Sequence, residues 1–229
     1  MKHDVAAIQR RLMMLGFDPG VIDGIYGRNT ARAIKAYQME NGLPMTGVVD
    51  TVLVRALFAN QNLKAVPPWI VEGERVKGLH EKRDHKRLWD WLRSDGATLG
   101  DPAKLPWCGD FVQTCILKTL PDEVVPNNPY LAANWTKFGK PTKPQLGAVL
   151  VFWRGSPSSW KGHVGFCAGQ DDTHFLVLGG NQSNSISHAR ISKKRLRSGG
   201  CRWPSTFTDP GGSAQNTDLS GVAVTVNEA

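Results

Sequence analysis

Apolar residues at Val5, Ile8, Leu12 and Leu15 recur at helical spacing and predict a first helix with one inward face, ended by Gly16. Residues 17–27 hold three glycines and a proline, which predicts a structured loop rather than a regular element. Asn29 or Thr30 is expected to cap a second helix running to about Gln38, with Ile34 and Tyr37 inward and Asn41-Gly42 as its stop. Asp50 is expected to cap a short third helix carrying Leu53, Leu57 and Phe58. A unit of this size buries a small core and is marginal alone.

Residues 61–68 are polar and end in Pro67-Pro68, and they are read as a linker between a domain at 1–60 and one at 69–208. In the second segment, helices are expected at 87–93 and 107–120. Short runs at 148–153, 163–168 and 175–178 have the length and composition of buried strands, the last two forming a hairpin. Helices first and strands afterwards predict an α+β domain with an antiparallel sheet. The Gly/Ser/Thr/Asn-rich stretch 209–229 is read as a flexible tail.

Composition narrows the class. The 229 residues are 41% hydrophobic and 21% charged, which is ordinary for a globular protein. The longest apolar run, 148–153, is far too short to span a membrane, and no apolar leader follows Met1, so neither membrane insertion nor a signal peptide is expected. The net charge of +8 favours an anionic partner: nucleic acid, anionic lipid or a cell envelope. Only Lys193-Lys194-Arg195-Leu196-Arg197 resembles a nucleic-acid stripe, and so short a run is read as a solvated face. No nucleic-acid partner is therefore expected.

The candidate chemistry starts at Cys108. In Pro106-Trp107-Cys108-Gly109 it stands at the first turn of an expected helix, where free backbone N–H groups and the helix dipole favour a thiolate. Cys115 and Cys167 have apolar neighbours and read as core, and Cys201 is unassigned. Among the six histidines, His163 opens a strand between Gly162 and Gly165, which leave room for a substrate, whereas His80 and His85 sit among charged residues. A hairpin turning near Asp171 places residue 163 opposite about 179, with Asn181 beside the start of the His163 strand. Its amide could then orient the imidazole, although a slip of one residue would turn that side chain away. No His-Glu-x-x-His or close Cys/His pair is present, so neither metal nor cofactor is expected.

Two resemblances follow. Ile8 to Leu12, Leu15-Gly16, Asp23-Gly24-Ile25-Tyr26-Gly27, Thr30, Ala33-Ile34, Tyr37-Gln38 and Gly47 to Asp50 resemble the three-helix peptidoglycan-binding domain of cell-wall hydrolases. Leu88 to Leu92, Pro106-Trp107-Cys108, Pro144 to Phe152, Gly162 to Phe166 and Val177 to Asn184 resemble the NlpC-like and CHAP (cysteine, histidine-dependent amidohydrolase/peptidase) superfamily. The second resemblance implies a papain-like fold, with Cys108 as nucleophile, His163 as base and Asn181 as orienter. Many CHAP domains carry Glu two positions before the Asn, where this chain has Gly179, and Gln182 is a further candidate. Trp107, Trp153 and Trp160 are candidates to line the substrate groove, and Asp23 and Tyr26 to bind the wall. The domain order resembles a phage endolysin, implying a monomer that is made in the host cytoplasm, leaves by a holin-type pore and cuts a peptidoglycan amide. The alternatives are a non-catalytic wall-binding or phage structural protein, and a glycosidase using Glu72 or Glu74.

Overall fold

A computed structural model describes residues 4–58, 66–97 and 100–208, together with 214, 222, 224 and 225. The chain divides into two compact units at residues 65 and 66. Most of the expected linker and tail lies outside the described residues.

The first unit has three helices: α1 (Val5–Met14), α2 (Arg28–Glu40) and α3 (Thr51–Phe58). Ile8, Leu12, Ala33, Ile34, Tyr37, Leu53 and Leu57 form its core. Leu15 is not part of that inner face; it is the C-cap of α1 and 37% exposed, because the chain leaves the helix there for a left-handed Gly16. Asp50 caps α3 as its position suggested, Oδ1 accepting from Leu53 N–H at 2.7 Å. The cap of α2 is Gly27 rather than Asn29 or Thr30. Thr30 is buried inside the helix, where its hydroxyl accepts from Gln9.

The second unit begins on a helix. Pro67 and Pro68, expected to block helix formation, are the N-cap and first residue of α4 (Pro68–Arg75). The first helical turn needs no N–H partner, so a ring nitrogen is tolerated there. Then come α5 (His85–Leu92), α6 (Cys108–Thr119), a 3₁₀ turn (Ala132–Lys137) and a six-stranded antiparallel sheet in the order β1-β6-β2-β3-β4-β5. The strands are β1 (Lys140–Pro141), β2 (Val149–Trp153), β3 (Gly162–Gln170), β4 (His174–Gln182), β5 (Ser185–Ser192) and β6 (Leu196–Trp203). The sequence pattern reached β2, β3 and β4. It missed β5 and β6, whose half-polar faces carry little apolar signal.

Helix α6 lies on β3 and β4, with Phe111, Cys115 and Ile116 in the core. Two glycines permit close packing around this helix, Gly73 of α4 and Gly180 of β4. A Cβ at Gly73 would meet Leu178 and Phe111, and one at Gly180 would meet Phe111 and Trp107. The basic run between β5 and β6 is a solvated face only in part, with Lys194 exposed and Lys193 half-buried. Arg195 is 9% exposed and donates to the Trp153 carbonyl. Arg197 donates to the carbonyls of Pro157, Ser159 and Lys161, holding the loop between β2 and β3. The described residues of the expected tail are also tied down, since Ala214 is buried with its N–H on the Pro144 carbonyl, and Thr225 donates to Arg190.

Candidate active site

Cys108 opens α6 directly after its N-cap Trp107 and is 4% exposed. Gly109 follows because the helix presses there on Pro129, whose carbonyl also receives the Trp135 indole N–H at 2.9 Å. The backbone N–H of Val164, the residue after His163, points at the Cys108 sulfur, as do those of Gly109 and Cys108 itself. The sulfur therefore sits against the start of β3. These donors and the Arg154 charge favour the thiolate, but burial outweighs them and pushes the Cys108 thiol above its ordinary value. The helix-start argument alone expected a lowered value; it omitted desolvation. Burial also raises the other core thiols, Cys115 well above the ordinary range and Cys167 to about 12. All four cysteines are free, so Cys167 and Cys201 are not paired.

His163 is buried on β3, and its Nε2 lies 3.1 Å from Gln182 Oε1. The Gln182 amide nitrogen donates to the Ser187 carbonyl at 2.6 Å, which fixes the oxygen toward the ring. Nε2 is then the protonated ring nitrogen, and Nδ1 is left as the basic one.

The orienting contact thus falls to Gln182, one residue beyond Asn181. The reason is a bulge. β4 pairs with β5 as Gly179↔Ser187 and then as Gln182↔Ser185, so one extra residue sits between these pairs. Asn181 takes it up with a left-handed φ of 54°, and the alternation of faces slips by one. Gln182 consequently shares the face of Gly179, and both look toward His163. A Cβ at Gly179 would stand 2.7 Å from Gln182 Oε1 and 3.0 Å from His163 Nε2, so the glycine makes room for the pair. Asn181 is buried, and its Oδ1 has no hydrogen-bond partner.

The aromatic candidates separate. Trp107 is core, 1% exposed, with its indole N–H on Glu81 at 3.1 Å, so it does not face a groove. Trp153 is half-buried at the end of β2 and does not line the cavity beside Cys108. Trp160 does, and it is 70% exposed. That cavity, about 110 Å³, also includes Tyr130, Arg154, Lys161 and Gly162. Sequence reasoning missed Arg154 and Lys161, since no local pattern marks a cation that reaches a cysteine from another element.

In the first unit, Asp23 and Tyr26 are committed to holding their loop to α1 and to the segment between α2 and α3. Asp23 Oδ1 accepts from Gln9 and from Ile25 N–H, which holds its carboxyl below the ordinary range, and the Tyr26 hydroxyl donates to the Gly47 carbonyl. Half of the Tyr26 surface remains open, and Val21, Ile25 and Val48 are exposed in the same unit.

Residues 2–57 match the family described as "Putative peptidoglycan binding domain", so the amino-terminal unit is a domain of that type. The chain is also 36% identical over 87 residues to the N-acetylmuramoyl-L-alanine amidase CwlM of Mycobacterium tuberculosis. That stretch covers 37% of this chain and 21% of the relative, so the chain spans about a fifth of its length. No solved structure matches.

Proposed function

We propose that the chain is a cell-wall hydrolase in which residues 2–57 dock on peptidoglycan and the second unit, a papain-like domain of the NlpC/CHAP kind, cleaves an amide bond with the Cys108 thiol. The observation that carries the reading is the His163–Gln182 bond at 3.1 Å, on the strand whose next N–H meets the Cys108 sulfur. Gln182 holds the ring in the tautomer whose Nδ1 can accept the thiol proton. Because burial raises the thiol, Cys108 rests protonated. Proton transfer from Sγ to His163 then accompanies attack on the carbonyl. The Cys108 N–H, at the start of α6, faces the sulfur at rest and turns to the oxyanion once the sulfur has attacked, worth about 3 kcal/mol in the transition state. His163 returns the proton to the leaving amine, and water releases the acyl group. Tethering by the first unit raises the local substrate concentration. The domain order keeps the phage endolysin, with holin-type release and action as a monomer, as the setting in which this chemistry fits.

The test is digestion of purified cell walls by the full chain and by Cys108→Ala. New free amino groups that depend on Cys108 support the reading; release that persists in the variant ends it. Equal failure of both proteins, with wall binding retained, would favour the second reading, a non-catalytic wall-binding protein, for which the buried thiol speaks.

A further inference from the structure

The cavity beside Cys108 carries charge of one sign. Arg154 and Lys161 both line it, and among the described residues that do so none is acidic. The two cations stand on opposite ends of one loop, Arg154 just after β2 and Lys161 just before β3, and the backbone N–H of Arg154 donates to the Lys161 carbonyl at 3.1 Å. Arg197 fastens the same loop by donating to three of its carbonyls, so the backbone that carries the cations is tied to β6. Lys161 is further held over the Trp160 ring at 5.8 Å. Arg154 is half-buried, where a guanidinium fork acts in a medium less screening than water.

Resting on the hydrolase reading above, we propose that Arg154 and Lys161 form a carboxylate-recognition subsite, so that the amide cut is one whose neighbouring residue bears a free carboxylate. The substrate is then an acidic peptide rather than a neutral or amidated one. A carboxylate set between the two cations would place the adjoining carbonyl in the cavity that opens onto Cys108, and a carboxamide would forgo the charge.

Two measurements test this, one of which needs no turnover. Alkylation of Cys108 by iodoacetate and by iodoacetamide, read peptide by peptide, gives a ratio to compare with that of 2-mercaptoethanol in the same solution. The expected ratio exceeds that of the free thiol by roughly tenfold at low salt. It should fall several-fold in Arg154→Gln and in Lys161→Gln; His163 is kept in both variants, so its charge does not account for the loss. Lys161 is exposed, so that variant tests the proposal even if Arg154→Gln fails to fold. A ratio equal to that of 2-mercaptoethanol, unchanged in Lys161→Gln, overturns the subsite. In the second measurement, stem peptides with a free α-carboxylate are compared with their carboxamides, and a roughly tenfold preference in kcat/KM is expected. Equal cleavage of both by the wild type overturns the subsite and leaves the hydrolase intact. Cleavage that survives Cys108→Ala removes the Cys108 thiol from the reaction, and the alkylation ratio still decides the subsite.

Discussion

Each unit of the chain is organised around a buried glutamine, and the two are used differently. In the first, Gln9 is closed: the two hydrogens of its amide nitrogen are shared among Asp23, the Ile25 carbonyl and Thr30, and its oxygen accepts from Gly24 N–H. It ties α1 to the loop and to α2, and nothing is left over. In the second, Gln182 spends its nitrogen on Ser187 and points its oxygen at an imidazole. Beside it the backbone is left-handed at Asn181, and the Asn181 oxygen is buried without a partner. The first network leaves none of its polar atoms over, whereas the second leaves an orphan oxygen and a left-handed residue beside the imidazole, each costing about 1–3 kcal/mol.

That contrast can be broken in order of expected effect. Cys108→Ala should lower amide release from cell walls by ~10³-fold or more and leave the urea midpoint of the second unit nearly unchanged, because one sulfur is removed from a packed helix start. Gln182→Ala should lower kcat by about 10²-fold with little change in KM, since the ring loses its orientation but the cavity stays. Gln182→Glu, which keeps an acceptor, should recover part of that loss, and equal loss in both variants would show that only packing matters there.

Gln9→Ala should destabilise the first unit by about 2–3 kcal/mol, leaving Gly24 N–H and Thr30 short of partners. Wall binding would weaken, while hydrolysis of a small soluble peptide by the second unit would not. Keeping the core thiols neutral stabilises the fold fully below pH 9.0, and for Cys167 this is lost as pH rises toward about 12. The urea midpoint should therefore fall above pH 9.0, and fall less in Cys167→Val. The smallest effect is expected for Asn181→Gly, which relieves the left-handed backbone and removes the orphan oxygen. A gain in stability of about 1 kcal/mol with kcat within a few-fold would confirm that orientation belongs to Gln182. A drop in kcat as large as that of Gln182→Ala would return the role to Asn181.

The sequence by itself determined the three-helix unit and the α+β order of the second segment, and it singled out Cys108, His163 and an amide near 181 as candidates. Those features rest on local signals: helical spacing in Ile8 and Leu12, a cysteine at a helix start, glycines flanking a strand histidine. The tertiary structure alone decided which amide meets the ring, where the basic run goes and which aromatics face the cavity. A single extra residue in β4 inverts the faces beyond Gly179, and only the pairing with β5 reveals it. Arg197 is drawn partly out of solvent because a loop 36–40 residues earlier offers it carbonyls. The Cys108 thiol is raised rather than lowered because the sheet that covers it excludes water, and desolvation is a property of the folded surroundings that no local motif encodes.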